Sequence, residues 1–300
     1  MIRTAQIVAS ADITVLIYGE TGTGKELLSQ AIHQASPRAK KNIIVVNCAA
    51  LSDALIESQL FGHKKGSFTG AIANSKGYIE AADEGTLFLD EIGELSAKGQ
   101  SVLLRFLESG ECQSVGSTET KQINARVIAA THRNLQEMVD EGTFRHDLMY
   151  RLNAVTLQLP PLRDRPGDTT LLLKHYLKLY ADKQQRRVLI FDKSAIKRLQ
   201  QHDWPGNVRE LRNLCARLAT LKDDSKVISA REVSEELAVQ ASSIDSSLFE
   251  LPATGIKLEE LEIDLIKQAL KKSDGNKSQA AKLLGITRDA FLYRLKKHDL

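Results

Sequence analysis

Near the start of the 300-residue chain, a glycine-rich string has the residue types and spacing of a phosphate-binding loop. The string GETGTGK, residues 19–25, follows an apolar run ending at Tyr18 and precedes a segment of helical periodicity, 26–34. Backbone N–H groups of such a loop can surround phosphate oxygens, the helix start adds its dipole, and a lysine supplies positive charge. The predicted nucleoside triphosphate site comprises Gly19, Glu20, Thr21, Gly22, Thr23, Gly24, Lys25 and Glu26.

Two adjacent carboxylates, Asp90 and Glu91, end the apolar run 86–89 and could complete the chemistry of this site. A strand that ends in acids beside a phosphate loop can hold a magnesium ion and orient water. We expect Asp90 to hold Mg²⁺, directly or through water, and Glu91 to polarise the attacking water. Glu26 stands where the general loop pattern has a magnesium-binding Ser or Thr.

The elements that must position these residues follow from the pattern of apolar runs. Short aliphatic runs alternate with stretches of helical period up to about residue 160, which is typical of a mostly parallel α/β sheet covered on both faces. The runs predicted as strands are 13–18, 43–46, 86–89, 126–130 and 155–159.

Beyond residue 165 the chain changes character. Residues 166–239 contain mainly helical periodicity, with helices predicted over 169–183, 193–202, 207–221 and 230–239. Residues 240–256, with four serines, a proline and a glycine, have the composition of a linker. Residues 257–300 again have helical periodicity. We therefore expect an α/β part over 1–165, a helical part over 166–239, a linker over 240–256 and a third domain over 257–300.

Composition and charge restrict the class of protein. Apolar residues make up 42% of the chain, as in a folded globular protein, and no apolar run approaches the roughly 18 residues of a membrane span. The three cysteines, Cys48, Cys112 and Cys215, form no C-x-x-C pair, so we expect an unsecreted, cytoplasmic protein. The histidines have no metal-ligand spacing, so we expect no transition-metal site. Residues 271–300 contain eight Lys and Arg against three Asp, a net charge of +5, so the other 270 residues carry −2 of the overall +3. This asymmetry predicts that the C-terminal end makes any nucleic-acid contact.

The string GSFTGA over residues 66–71 carries the most specific resemblance. With the phosphate loop and the Asp-Glu strand in order on one chain, the sequence resembles the bacterial enhancer-binding proteins, the NtrC-like sigma-54-dependent activators. The resemblance implies a P-loop AAA+ core with a parallel sheet, an all-α lid and a small all-α helix-turn-helix domain of Fis type. It also implies that the string contacts sigma-54, with Phe68 as an exposed hydrophobic tip. The implied contact residues are Gly66, Ser67, Phe68, Thr69, Gly70 and Ala71.

Five further positions take roles from the same resemblance. Asn47 corresponds to a switch asparagine that holds the glutamate, and Thr131 to a sensor residue, followed here by His132. Arg145 and Arg151 are implied to reach the nucleotide of a neighbouring subunit. Being six positions apart, they would point in different directions from a helix. Arg209, in the string WPGNVREL, is implied to reach the γ-phosphate from the lid.

The last helices resemble a Fis-type module. Apolar positions define an amphipathic first helix, which would pair with its copy in a dimer, and the Thr287-capped third helix would enter the major groove. Ala290 and Tyr293 differ from the residues that relatives often carry there. The implied DNA contacts are Lys277, Thr287, Arg288, Arg294, Lys296 and Lys297.

The leading hypothesis is an activator that binds double-stranded enhancer DNA, assembles as a hexamer or heptamer and uses ATP with Mg²⁺ to remodel the sigma-54 RNA polymerase holoenzyme. An alternative is a nucleotide-sensing DNA-binding regulator or repressor that does not engage sigma-54. A third, a general AAA+ remodeller such as a helicase loader, leaves the GSFTGA string unexplained.

Overall fold

The computed structural model describes residues 1–222, 227–244, 257–273 and 275–298, which divide into two compact units, Met1–Ala238 and Val239–Leu300. The strands are β1 (Val15–Tyr18), β2 (Ile43–Asn47), β3 (Gly62–His63), β4 (Ser75–Lys76), β5 (Thr86–Asp90), β6 (Glu111–Gln113), β7 (Thr120–Gln122), β8 (Arg126–Thr131), β9 (Val155–Gln158), β10 (Ile190–Phe191) and β11 (Val227–Ile228). The helices are α1 (Ile2–Ser10), α2 (Lys25–Gln34), α3 (Ile56–Phe61), α4 (Tyr78–Ala81), α5 (Ala97–Ser109), α6 (Leu135–Asp140), α7 (His146–Leu152), α8 (Asp168–Gln184), α9 (Lys193–Gln200), α10 (Asn207–Leu221), α11 (Ala230–Ile244), α12 (Leu258–Lys272), α13 (Lys277–Leu283) and α14 (Arg288–Lys297).

A five-stranded parallel sheet, in the order β2-β5-β8-β1-β9, forms the centre of the first unit. All five predicted strands are present in it. In β1, Leu16 packs into one apolar cluster while Val15 and Ile17 pack into another on the opposite face. Burial on both faces explains why these strands are continuous apolar runs. Because the strands are parallel, the loops at their carboxyl ends lie along one edge of the sheet.

Two small antiparallel hairpins, β3-β4 and β6-β7, interrupt the alternation of strands and helices. Their strands have only two or three residues, and most of these side chains are exposed. Such strands leave no apolar run in the sequence, which therefore did not predict them. The GSFTGA string lies in the connection between β3 and β4.

Helix α1 was also not predicted, and a buried arginine holds its end. Arg126 in β8 is 3% exposed and donates from Nη1 to the carbonyl of Ala9, at 2.9 Å, and from Nη2 to that of Val8, at 2.8 Å. These are carbonyls of the last turn of α1, which carry partial negative charge, and that of Val8 also accepts a 3.1 Å hydrogen bond from Ala11 N. Arg126 thus joins α1 to the central sheet.

The helical part packs α8, α9, α10 and α11 around Trp204, which is fully buried and donates from Nε1 to the carbonyl of Leu199 at 3.0 Å. The four predicted helices are all present. Helix α9 begins at a side-chain cap, since Asp192 accepts a 2.6 Å hydrogen bond from Ala195 N. Helix α11 extends to Ile244, into the segment predicted as a linker, and residues 245–256 lie outside the described residues.

In the second unit, α12, α13 and α14 surround Phe291, which is fully buried with Ala280 and Ala281. The small alanines permit the close crossing that the sequence predicted. Asn276 caps α13 and Thr287 caps α14, the latter by accepting a 3.3 Å hydrogen bond from Ala290 N. Across the described ranges, no helix combines the length and apolarity needed to span a bilayer.

Candidate functional site

The phosphate loop connects the end of β1 to the start of α2, as predicted. Gly22 and Gly24 have φ of 79° and 103°, a conformation that glycine adopts without the clash a Cβ would cause. A Cβ at Gly22 would also lie 2.4 Å from the carbonyl oxygen of Gly206. Lys25 is 6% exposed, and its Nζ donates to the carbonyl of Gly19 at 3.0 Å. In this arrangement the lysine is folded against its own loop.

The two carboxylates lie at the end of β5 and differ in environment. Burial, followed by the charge of Glu91, raises the pKa of Asp90, although Lys25 opposes this. Burial also favours a raised pKa for Glu91, but the hydrogen bond from His132 and the charge of Lys25 outweigh it and lower that pKa. The negative charge of Asp90, partly buried beside that of Glu91, would be stabilised by a nearby cation. Carboxylate oxygens are the kind of ligand that Mg²⁺ prefers. The donor set therefore fits Mg²⁺.

Glu91 is held at both carboxylate oxygens. Its Oε1 lies 3.5 Å from Lys25 Nζ, and its Oε2 lies 2.7 Å from His132 Nδ1. From the sequence alone, His132 was notable only as the residue that follows Thr131. The Asn47 side chain, which the resemblance assigns to this glutamate, accepts a 3.0 Å hydrogen bond from Ala49 N. Its backbone nevertheless pairs with Asp90 in the sheet, which places it beside the carboxylates.

Thr131 ends β8 next to the phosphate loop. It is fully buried, its Oγ1 accepts a 3.0 Å hydrogen bond from Arg133 N, and its carbonyl accepts one from Gly19 N at 3.2 Å. Thr131 therefore shapes the start of the loop through its backbone. Its predicted role as a sensor of nucleotide remains a prediction.

A cavity of about 200 Å³ lies between the phosphate loop and the lid. Arg209 lines it, and its backbone N donates to the carbonyl of Gly22 at 3.3 Å. Tyr176 and Arg212 also line the cavity, and neither was predicted from the sequence. Arg212 lies three residues after Arg209 on α10, so helical spacing from Arg209 could have identified it. The cavity is lined by Gly22, Gly24, Lys25, Glu26, Leu27, Asp90, Glu91, Tyr176, Val208, Arg209 and Arg212.

The two arginines proposed to act on a neighbour lie apart from this cavity's lining. Arg145 precedes α7 with an extended backbone and makes a bidentate ion pair with Asp147, at 3.0 and 2.7 Å. Arg145 is the N-cap of α7 and not a helical residue. The different directions that the sequence predicted for Arg145 and Arg151 on one helix therefore do not apply. Arg151 lies in the last turn of α7, and both arginines are exposed.

The GSFTGA loop differs from the expected exposed tip. Phe68 is half-buried, and its ring packs edge-on against His63 with centroids 5.0 Å apart. The adjacent Ile72 is 83% exposed and is the large apolar side chain that the loop presents to solvent. The loop folds Phe68 inward because a left-handed Gly70 and a 3.0 Å hydrogen bond from Ala71 N to the Phe68 carbonyl form a tight turn.

In the second unit, the predicted DNA-contacting residues separate into two groups. Arg294 is half-buried, and its Nε lies 2.7 Å from Glu262 Oε1 on α12. Lys297 and His298 approach the other oxygen of Glu262, at 3.8 and 3.1 Å. Arg294 therefore joins two helices within the unit. The exposed residues of the predicted set are Lys277, Thr287, Arg288, Lys296 and Lys297.

Comparison with known proteins identifies the class. Residues 1–158 match the sigma-54 interaction domain, 163–247 the AAA+ ATPase lid domain, and 257–298 the Fis family of bacterial regulatory proteins. The chain belongs to the family of AAA+ proteins that carry the sigma-54 interaction domain. The resemblance inferred from the sequence and the predicted fold class are thus confirmed.

Individual relatives support this assignment. The chain is 44% identical over 297 residues to the transcriptional regulatory protein ZraR of Salmonella typhimurium, covering 99% of this chain and 66% of that protein. It is 42% identical over 304 residues to the regulatory protein AtoC of Escherichia coli K12, covering 99% and 65%. The crystal structure of NtrX from Brucella abortus in complex with ATP has a TM-score of 0.75 at 31% identity and covers 98% and 66%. The chain spans about two thirds of the length of these relatives.

Proposed function

We propose that this chain is an ATP-hydrolysing transcriptional activator that acts on the sigma-54 RNA polymerase holoenzyme in the cytoplasm. One observation carries the proposal: the phosphate-loop lysine, both carboxylates and a lid arginine line one cavity, in a chain whose first 158 residues match the sigma-54 interaction domain. A solved relative, NtrX, is in complex with ATP, and a further relative, HyfR, is named a DNA-binding transcriptional activator.

The residues around the cavity divide the work of phosphoryl transfer. The backbone of residues 19–24 and Lys25 bind the phosphates, and Lys25 gives up its hydrogen bond to Gly19 when it does so. Asp90 would hold Mg²⁺, directly or through water, and the bound ion would supply charge neutralisation at the phosphates. Glu91, an ionised carboxylate whose pKa is lowered by His132 and Lys25, orients and polarises the attacking water by accepting a hydrogen bond from it. Arg209 reaches the terminal phosphate from the lid.

Asn47 and Thr131 complete the proposed site at the carboxyl ends of the sheet. Asn47 pairs with Asp90 in the sheet. Its Oδ1 accepts a hydrogen bond from Ala49 N, and loss of that bond would let the amide turn so that its Nδ2 donates to Glu91. Thr131 contacts the loop through Gly19. Asn47 is therefore paired with the strand that carries the carboxylates, and Thr131 is hydrogen-bonded to the phosphate loop, so both can respond to nucleotide state.

Assembly follows from the exposed arginines. Arg145 and Arg151 are exposed and lie outside the lining of their own chain's cavity, so we propose that they stabilise transition-state charge in a neighbouring subunit. Delivery in trans requires a homo-oligomer, which we propose is a hexameric or heptameric ring. Hydrolysis is then possible only in the assembled protein.

Two surfaces bind macromolecular partners in this proposal. The connection between β3 and β4, residues 64–74, contacts sigma-54, with Ile72 presented outward and Phe68 supported by His63. Helix α14 enters the major groove of enhancer DNA, with Thr287 and Arg288 at its start and Lys277, Lys296 and Lys297 near phosphates. Pairing of α12 with its copy would form the DNA-binding dimer, since Leu258 and Leu265 are exposed along it.

The proposed domain division assigns 1–165 to the α/β ATPase part, 166–239 to the lid, 240–256 to a linker and 257–300 to the DNA-binding part. The cluster around Trp204 and the cluster around Phe291 support separate helical cores. Helix α11 carries the lid five residues further, to Ile244.

The proposal is tested by transcription in vitro with purified protein, ATP and two matched promoters. We expect activation from a promoter read by sigma-54 polymerase and no effect on a promoter read by the housekeeping form. Repression, or an equal effect on both promoters, would instead support the DNA-binding regulator that does not engage sigma-54.

A further inference from the structure

Asn207, the first residue of α10, is buried and has an unusual backbone. Its φ is 52° and its exposed fraction is 0%. Left-handed backbone in a residue other than glycine is strained, although asparagine tolerates it best, and strain of this kind concentrates at functional positions. None of the roles described above uses Asn207, so its conformation calls for a reason.

The side-chain amide of Asn207 links three segments. Its Oδ1 accepts a 2.7 Å hydrogen bond from Leu162 N, and its Nδ2 donates to Glu20 Oε2 and to the carbonyl of Thr21, both at 3.1 Å. Leu162 N can only donate and a carbonyl can only accept, which fixes the orientation of the amide. No other side chain of the same shape offers an acceptor on one side and two donors on the other.

Glu20 is held from a second direction by Arg163. The guanidinium donates through Nη1 to Oε2 at 3.0 Å and through Nη2 to Oε1 at 2.5 Å. The hydrogen bonds from Arg163 and then from Asn207 lower the pKa of Glu20. Both carboxylate oxygens of a phosphate-loop residue are therefore engaged by residues that belong to, or lead into, the lid.

The rest of the loop is held in the same way. The carbonyl of Gly22 accepts from Arg209 N at 3.3 Å, and the carbonyl of Thr23 accepts from Arg165 Nη2 at 3.1 Å. The turn at Gly206 approaches Gly22 so closely that a Cβ there would collide with it. Each loop residue from Glu20 to Thr23 is thus bound to the segment 162–209, and Asn207 is at the centre of these contacts.

We propose that Asn207 is a positioning residue, which sets the shape of the phosphate loop from the lid before nucleotide binds. With the carbonyls of Thr21, Gly22 and Thr23 engaged on the lid side, the loop is held in one shape before nucleotide arrives, so less ordering is needed on binding. The same contacts make loop shape depend on lid position. The identity of the nucleotide rests on the proposed function, whereas the contacts of Asn207 with the loop do not depend on it.

The test compares Asn207→Asp with Asn213→Asp, an exposed asparagine on the same helix. Aspartate keeps the shape, the acceptor for Leu162 N and the tolerance of the backbone, but it removes both donors and places negative charge beside Glu20. We expect the dissociation constant of a fluorescent ATP analogue, and the KM for ATP, to rise roughly tenfold with kcat within about twofold. Asn213→Asp should match the parent. Equal affinities for the two variants would overturn the proposal.

A second measurement does not need activity. Hydrogen exchange of the amides of residues 20–24, in the full chain without nucleotide, should be faster in Asn207→Asp and unchanged in Asn213→Asp. If the parent chain binds nucleotide without hydrolysing it, the proposed function fails while this measurement still tests the positioning role. Unchanged exchange in Asn207→Asp would contradict that role.

A third variant keeps the proposal testable if Asn207→Asp fails to fold. Arg163→Gln removes a partner of Glu20 at a side chain that is 43% exposed, and it should weaken analogue binding in the same direction. Adding Glu20→Gln to Asn207→Asp should recover part of the affinity, because the charge repulsion is gone and a donor faces the new acceptor. Absence of both effects would also refute the inference.

Discussion

Nδ1 of His132 lies 2.7 Å from Oε2 of Glu91, so the residue after Thr131 directly contacts the carboxylate proposed to activate water. Lys25 holds the other oxygen at 3.5 Å. The carboxylate is therefore oriented from the loop and from the end of β8 at once. Its geometry depends on residues that follow three strands, β1, β5 and β8, whose carboxyl ends lie at one edge of the sheet.

His132→Ala should lower kcat for ATP hydrolysis by about tenfold and leave KM within about twofold, because the contact orients Glu91 rather than binding nucleotide. His132→Asn retains an N–H donor and should recover most of the rate. Steady-state kinetics with saturating Mg²⁺ check this. A parental kcat in His132→Ala would show that the contact is dispensable for hydrolysis.

The trans role of Arg145 predicts complementation between inactive subunits. Lys25→Ala should lose nucleotide binding and Arg145→Ala should lose stimulation by its neighbour, so each alone should be nearly inactive. Mixed in equal amounts, they should regain about a quarter of the parental ATPase rate, since one interface in four then joins an intact loop to an intact arginine. Mixtures as inactive as the separate variants would place Arg145 in its own subunit's site.

Ile72 is predicted to contribute to sigma-54 contact, because it is the outward apolar side chain of the GSFTGA loop at 83% exposure. Ile72→Ser should reduce open-complex formation severalfold and leave the ATPase rate within about twofold. Ile190→Ser changes an isoleucine of 63% exposure in the lid and is the matched control. Equal open-complex yields from both variants would exclude Ile72 from the contact.

Glu262 is predicted to stabilise the second unit in a pH-dependent way. Hydrogen bonds from His298 and Arg294 lower its folded-state pKa below the ordinary 4.5. A carboxylate with a depressed folded pKa contributes stability that is complete above the unfolded value and is lost as pH falls through the folded value. Glu262→Gln should therefore reduce hydrogen-exchange protection of α12 and α14 at pH 7.

The difference between parent and Glu262→Gln in that protection should shrink as the pH is lowered below 4.5. Glu259→Gln is the control, because Glu259 lies 3.8 Å from Lys297 alone and is 71% exposed. A difference that stays constant with pH would mean that the glutamine acts through packing rather than charge.

The sequence was sufficient for the elements that bury apolar runs. All five sheet strands, the lid helices and the Thr287 cap were predicted, because burial on two faces leaves short but continuous aliphatic runs and caps require specific side chains. The carboxylates and Lys25 were predicted because the phosphate loop and the acid pair each follow an apolar strand, and parallel strands bring their carboxyl ends to one edge of the sheet.

The remaining features depend on tertiary contacts that no local pattern records. His132 contacts Glu91 because the neighbouring strands β8 and β5 end side by side. Asn207 contacts Glu20 although the two residues are 187 positions apart in the sequence. Phe68 was expected at an exposed tip, but a tight turn packs it against His63 and leaves Ile72 outside. Arg294 was expected on DNA, and its contact with Glu262 arises only from the packing of α12 on α14.

Glu91→Gln provides the most direct test of the central claim, that ATP hydrolysis at this cavity drives sigma-54 open-complex formation. The substitution keeps the side chain's size but removes its ability to accept a proton, so ATP should still bind while hydrolysis falls by about a hundredfold or more. Open-complex formation on a sigma-54 promoter should be measured for the parent and Glu91→Gln at equal ATP. Open complexes should form with the parent and essentially none with Glu91→Gln; parental levels of open complex with Glu91→Gln would show that hydrolysis at this cavity does not drive the reaction.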